Sequence, residues 1–410
     1  MREFYPLKRV ALPPELRLVL SCLRITPTEK EVQQIEALSR AKIGWPDFLR
    51  WVDRHRVAPL VYQNLKRYGG NSVPASAMNT LRSRFERNAH RSLVNATELV
   101  RLYKLFQENG IACIPLKGSV LALQVYGNLA LRHAGDIDLL VAPSQVELAD
   151  RLLQISYRRI MPGFRLSPAQ RRRFLRLMYD FEYLHEQANL RVELHWRSLQ
   201  DQPAHVMDLT RLRSRVSKVV VAGSTLPALS LPDNILYLCA HGGAHFWSRL
   251  SWLADLVEMM RGNSEIDWPR LMILVREANM MRPLALGLIL AHELLDVSLP
   301  EVIRTYALRD QMVSYLAKVA YRSMLCPQPA TPPPSLNFIF YLCRFRCANS
   351  FTERLNILQN IFSGEDWKTI SFPDSLNFLY YLLRFPLWLQ RRLGRSTNPM
   401  ITDKIRGKDD

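Results

Sequence analysis

Two acids spaced for shared chemistry stand at Asp136-Ile137-Asp138, directly ahead of the apolar run Leu139-Leu140-Val141. In an extended strand, residues two apart share a face, so both carboxylates project side by side with Ile137 turned behind them. Adjacent carboxylates repel each other unless a cation lies between them. Magnesium or manganese, holding nucleotide phosphates, suits such a pair. Upstream, residues 111–116 form a short apolar run after Gly110 that reads as a buried strand. Lys117-Gly118-Ser119 follows, and then a helical pattern through Val120, Leu121, Leu123 and Val125. A glycine turn between strand and helix leaves backbone N–H groups free at the helix start, a seat for phosphate. The plainer readings are a solvated acid pair and an ordinary strand-to-helix turn, with Lys117 reaching out to solvent.

A third carboxylate is sought downstream. MYDFEYLHE (178–186) and LRVELHW (190–196) read as two strands joined by the short turn Gln187-Ala188-Asn189, a hairpin. Alternation places Val192, Leu194 and Trp196 on one face and Arg191, Glu193 and His195 on the other. Glu193 is the candidate, with Glu182 its rival. His195 shares the face of Glu193; it orients the acid, touches an acceptor, or is a hydrogen-bonded structural histidine. Arg132, shortly before the acid pair, suits either a phosphate or the bracing of the Asp carboxylates. His241-Gly242-Gly243-Ala244-His245 sets two imidazoles on one helix face. That spacing can ligate zinc, but the Glu of an HExxH site is missing. The two glycines also suit a close helix crossing. Arg171, Arg172, Arg173 and Arg176 form a basic cluster that fits an acidic acceptor or a solvated helix face.

The layout of strand, Gly-Ser turn, helix and Asp-x-Asp strand resembles the nucleotidyltransferase superfamily that includes DNA polymerase beta. The closer resemblance is to the bacterial uncharacterised nucleotidyltransferase family. It is carried by Leu116-Lys117-Gly118, by Arg132 with Asp136-Ile137-Asp138, and by Val192-Glu193-Leu194-His195-Trp196. A His-x-x-x-His followed by Trp and Asp, here His241, His245, Trp252 and Asp255, belongs to the same pattern. The resemblance implies transfer of a nucleoside monophosphate from an NTP to a hydroxyl or phosphate, with release of pyrophosphate and dependence on Mg2+ or Mn2+. It implies Asp136, Asp138 and Glu193 as catalytic metal ligands. Lys117, Gly118, Ser119 and Arg132 would bind the triphosphate, and His195, His241, His245 and Asp255 would line the cleft. The family's association with polysaccharide biosynthesis points to a sugar phosphate or related metabolite as acceptor, and leaves protein nucleotidylation and antibiotic modification open. The chain departs from compact superfamily members in its long connection between Ser119 and Asp136.

The elements that must position these residues follow from the patterning. The expected fold is α+β: a nucleotidyltransferase-fold mixed sheet core (111–230) between an N-terminal helical region (1–110) and a C-terminal helical region (231–325). A Pro-rich linker and an aromatic, basic helical tail (326–410) complete the chain. Within these, Pro143-Ser144 reads as the cap of a helix, Asp233 as an N-cap, and residues 218–223 as a strand. Ile43-Gly44-Trp45-Pro46 followed by Pro59-Leu60 is echoed by Ile266-Asp267-Trp268-Pro269 followed by Pro283-Leu284, which suggests one helix-pair module used twice. SLNFIFYLCRF (335–345) and SLNFLYYLLRF (375–385) form a second echo, read as two amphipathic helices.

The net charge of +18 favours polyanionic company, namely nucleotides, weak non-specific nucleic acid or an anionic membrane. The tail's aromatic anchors and basic end suit such a membrane surface or packing on the helical region. No apolar run is long enough to cross a bilayer and no signal-peptide core opens the chain, so a cytoplasmic protein is expected. Six scattered cysteines without a CxxC pair support neither a zinc knuckle nor a disulfide framework. The competing class is a catalytically retired protein that binds nucleic acid or a membrane surface, but no helix-turn-helix or stacking-aromatic motif stands out.

Overall fold

A computed structural model describes residues 12–325, apart from 164–165, 199–207 and 263–265, together with isolated positions between 345 and 386. The Pro-rich segment and the expected tail helices fall almost wholly outside the described residues.

The chain opens with α1 (Pro14–Ser21), α2 (Glu29–Arg40), α3 (Trp45–His55), α4 (Ala58–Tyr68) and the 34-residue α5 (Ala75–Glu108). Helix α5 stops at Gly110, whose φ of +69° suits a residue without Cβ. There the Ile111 N–H reaches back to the Phe106 carbonyl at 2.8 Å, closing the helix end and turning the chain into the sheet.

The central part alternates β1 (Cys113–Pro115), α6 (Ser119–Tyr126), β2 (Ile137–Val141), α7 (Val146–Leu153), β3 (Arg158–Met161), α8 (Pro168–Leu177), β4 (Asp180–His185) and β5 (Leu190–His195). The five strands form one mixed sheet in the order β1-β2-β5-β4-β3. Only β2 and β5 run parallel; β4 and β5 are the hairpin read from the sequence. Helix α9 (Leu209–Arg213) leads to a two-stranded sheet of β6 (Ser217–Val221) and β7 (Ser224–Ala228).

Alternation along the strands divides the sheet's two faces chemically. Ile137, Leu139, Val141, Phe181, Tyr183, Val192, Leu194 and Trp196 pack in one core with Leu99, Leu102 and Phe106 of α5, Val146 and Leu153 of α7, and Phe174 of α8. The opposite face carries Asp138, Asp180, Glu182, Glu193 and His195 and looks away from that core. An apolar back therefore fixes the register, and a one-residue slip would turn every acid into the apolar core.

The rest of the described residues are mainly helical: α10 (Leu231–Ala244), α11 (Leu250–Arg261), α12 (Trp268–Glu277), α13 (Met281–Leu295), α14 (Glu301–Arg309) and α15 (Gln311–Leu325). These helices share one core with α1 to α4, and the polar-face side of β1 and β2 joins it through Ile114, Leu116 and Leu140. Buried Arg24 joins the N-terminal helices to α13: it donates to the Leu295 carbonyl and pairs with Glu31 at 2.7 Å. No helix among the described residues is long and apolar enough to cross a membrane.

The first echo has a structural counterpart. α3 and α12 both open with Trp-Pro and both close on a left-handed residue, Arg56 (φ 54°) and Asn279 (φ 57°), at the same distance from the tryptophan. In each, the next N–H bonds five residues back along the turn, Val57 to Val52 at 3.2 Å and Met280 to Val275 at 2.8 Å. The same short sequence thus builds the same helix–turn–helix before and after the sheet in the chain. Two local expectations are corrected. Asp233 is not the N-cap of α10; Ser230 takes that place, and buried Asp233 pairs with Arg215 at 2.7 Å instead. The Pro143-Ser144 cap is a short 3-10 turn, and α7 begins only at Val146. Strand β7 was not foreseen, because Pro227 within a five-residue segment reads against a strand.

Candidate active site

Strand pairing assembles the acids. In β2 and β5, Asp138 lies opposite Glu193 and Leu140 opposite His195. In β4 and β5, Glu182 lies opposite Glu193 and Asp180 opposite His195. Carboxylates from three adjacent strands therefore stand abreast on one face. The side chains of Asp138, Glu193 and His195 offer ligand atoms that all lie within 4.8 Å of one another. The Nε2 atom of His195 is 3.3 Å from Asp138 Oδ1 and 3.2 Å from Glu193 Oε2.

Asp136 stands just outside β2, at the mouth rather than within this cluster. The strand starts one residue later than the Asp-x-Asp pattern suggests, so the two aspartates are not equivalent: Asp138 is buried and Asp136 half-exposed. Burial, and then the Glu193 charge, raise the Asp136 carboxyl.

The Gly-Ser turn faces the same place. Gly118, at φ +69°, is the N-cap of α6, and Ser119 is its first residue. A Cβ at Gly118 would lie 3.5 Å from the Asp136 carbonyl oxygen, besides forcing the left-handed backbone. Lys117 Nζ reaches Asp138 Oδ1 at 3.0 Å. It therefore lies against the acid pair and does not extend to solvent. A small cleft opens between the turn, residues 132–138 and α5.

Charge in the site is mutually controlled. Burial pushes Asp138 up to about 6, opposed by Lys117. Burial also opposes the charge on Glu193, yet His195 and Lys117 hold its carboxyl well below the ordinary glutamate value. The same acids hold His195 up at about 10 against its burial. Asp138 Oδ2 is buried without a hydrogen-bond partner. Two carboxylates and one imidazole, with an unpaired buried oxygen among them, fit a divalent cation.

Arg132 does not brace the Asp-x-Asp carboxylates. Its Nε pairs with Asp255 at 3.0 Å, and the Tyr126 hydroxyl donates to the other Asp255 oxygen at 2.8 Å. Asp255 is 1% exposed, and a carboxylate so deeply buried needs both partners. This knot fastens α11 to α6 and to the segment before Asp136.

His241 and His245 do sit together, ring centroids 4.7 Å apart, with Trp252 within 5.3 Å of both and Tyr237 beside His241. Burial and the Lys117 charge lower both imidazoles, His245 to about 4. Helix α10 thus presents an aromatic wall to the acidic face. Of the two glycines, Gly242 is required: a Cβ there would come within 2.6 Å of the Trp247 ring. Gly243 has open space around it. Arg171 belongs to the back of the sheet, where it pairs with Asp150 at 2.7 Å and lies over Phe181.

Two groups escaped the sequence reading. One is Asp180, buried on the acidic face. The other is a polar stripe on α5. Asn88 donates to the Ala130 and Arg132 carbonyls and accepts from the Ala134 N–H, and Asn95 donates to the Gly135 carbonyl at 2.7 Å. Ser92 lies between them on the cleft wall. Their i, i+4, i+7 spacing was a visible signal of one face, but nothing in the sequence says that its partner is the loop before Asp136.

No curated protein matches the chain. A family model described as an uncharacterised nucleotidyltransferase matches residues 41–296, a span that takes in both Trp-Pro modules, the turn, the acidic strands and the histidine helix. The chain belongs to this nucleotidyltransferase family.

Proposed function

We propose that the protein moves a nucleoside monophosphate from an NTP to an acceptor hydroxyl or phosphate and releases pyrophosphate. The observation that carries this reading is the convergence of the Lys117-Gly118-Ser119 turn on Asp138, with Glu193 in parallel register beside it. Asp136, Asp138 and Glu193 would hold Mg2+ or Mn2+, which supplies neutralisation of the triphosphate charge and acidification of the acceptor. The turn's backbone N–H groups and the Ser119 hydroxyl bind phosphate oxygens at the start of α6. Lys117 compensates the negative charge that develops as pyrophosphate leaves. Glu193 aligns the acceptor. The Arg132–Asp255–Tyr126 knot and the Asn88 and Asn95 contacts hold the approach to Asp136 rigid, which limits the reorganisation needed at the reaction. His241, His245 and Trp252 form the wall against which an acceptor rests. A sugar phosphate is the first acceptor class to test, and the cytosol is the expected compartment for such a substrate.

Pyrophosphate release, followed with each NTP, Mg2+ or Mn2+ and a library of sugar phosphates, tests the reading. Release is expected with a subset of pairs and lost in Asp138→Asn. No release with any pair, or equal release by the variant, rejects it.

A further inference from the structure

The geometry points to a nitrogen ligand in this site. We propose that His195 binds the acceptor-side cation through Nε2, that Asp180 is the positioning residue for its Nδ1, and that this position therefore prefers Mn2+ to Mg2+. The inference rests on the nucleotidyltransferase reading and goes beyond it in assigning the ligand set and the ion.

The first observation is the pair of contacts at Nε2, 3.2 Å to Glu193 and 3.3 Å to Asp138. An imidazolium donating to a carboxylate draws in to about 2.7–2.9 Å and points its single proton at one oxygen. Here two longer contacts of nearly equal length share one nitrogen. Ligand atoms at right angles around an octahedral ion with bonds of about 2.1 Å are about 3 Å apart. The spacing found is that of neighbouring ligands converging on one point.

The second observation is a set of unpartnered buried atoms. Asp138 Oδ2, His195 Nδ1 and Asp180 Oδ1 all lack hydrogen-bond partners, although the three residues are 1%, 3% and 1% exposed. Asp180 and His195 are cross-strand partners on one face, so their Cβ atoms are about 5 Å apart. An imidazole that ligates through Nε2 carries its proton on Nδ1 and donates it outward, and a carboxylate is a usual recipient. Asp180 is the buried carboxylate placed there. No other role on the acidic face uses it.

The third is ligand chemistry. Mg2+ keeps to oxygen ligands and water, whereas Mn2+, though also at home among carboxylates, is the first member of the transition series that takes nitrogen ligands. Two carboxylates and an imidazole therefore favour the second ion. Glu182, opposite Glu193, faces the same space, and Tyr179 flanks the His195 ring at 5.6 Å.

The test uses the full chain with Mn2+ alone, read by electron spin-echo envelope modulation. The wild type should show 14N coupling from one imidazole, and biosynthetic 15N-histidine labelling should convert it to 15N coupling without any substitution. His195→Gln should abolish the coupling and weaken Mn2+ tenfold or more, with little change in Mg2+ affinity. Asp180→Asn should keep the coupling and weaken Mn2+ about tenfold or more, and Asp180→Glu should recover part of that loss. Mn2+ bound to the wild type without nitrogen coupling overturns the inference and leaves the transferase reading standing. So does coupling that survives His195→Gln, or unchanged affinity in Asp180→Asn. Failure to bind Mn2+ even with an NTP present removes both.

Discussion

Replacing Glu193 by glutamine removes one charge and almost no volume, so it isolates what that carboxylate does. Its neighbours are defined: Asp138 and Glu182 opposite it on the two flanking strands, and His195 Nε2 at 3.2 Å. Glu193→Gln should lower turnover by a factor of hundreds, on the order of 4 kcal/mol of transition-state stabilisation. Nucleotide affinity should be largely retained, because the triphosphate turn and Asp136 are untouched. Glu182→Gln should be much milder. Steady-state pyrophosphate release beside equilibrium NTP binding separates the two effects, and a large loss in Glu182→Gln with a mild one in Glu193→Gln would exchange their roles. Much of this was legible in the sequence, because strand alternation depends only on a period of two. Val192, Leu194 and Trp196 are buried as that period requires, and Glu193 turns the other way. The partner of Arg132 was not legible. Asp255 lies 123 residues away, and only tertiary packing brings it to the guanidinium.

At the scale of elements, α10 is placed by one absent side chain. Trp247 is wholly buried with its ring against Gly242 and also against Gly287 of α13. Gly242→Ala should cost about 1–3 kcal/mol, because the ring has nowhere to retreat. Gly243→Ala should be neutral or gain about 0.5–1 kcal/mol through helix propensity. Thermal melts of the two variants decide this; equal melting temperatures would mean that the Trp247 contact is not what sets α10. The sequence showed two glycines as equivalent, and only the close approach of one ring tells them apart. A second junction predicts acid lability. His55 closes α3, is fully buried, and accepts from the Leu250 N–H that begins α11. Burial, with Arg54 and Arg249, lowers its imidazole to about 3. The unfolded chain takes up this proton below about pH 6.5 while the folded one does not, so stability falls by about 1.4 kcal/mol per pH unit between those values. The contribution is complete above pH 6.5 and drains away as pH drops. His55→Asn should be less stable at neutral pH yet lose stability more gently from pH 6.5 to 4.5. Parallel pH slopes in denaturant titrations would show that another group carries the effect.

For the whole molecule, the two helical flanks meet around the acidic face of a single sheet, and the chain carries a net charge of +18. That charge should give weak duplex DNA and tRNA binding that falls steeply as salt rises. A salt-resistant, sequence-selective complex, seen in filter binding across a salt series, would favour a nucleic-acid reader instead. The fold was readable because it depends on local patterns. The way α10 and α11 stand beside the acidic face was not, because their side chains meet the sheet only in the folded chain. The most direct measurement of the central claim is a crystal structure of the chain with Mn2+ and a non-hydrolysable NTP. The account predicts anomalous density held by Asp138 and Glu193, with the triphosphate on the Lys117-Gly118-Ser119 turn. Metal density elsewhere, or a nucleotide bound away from that turn, would contradict it.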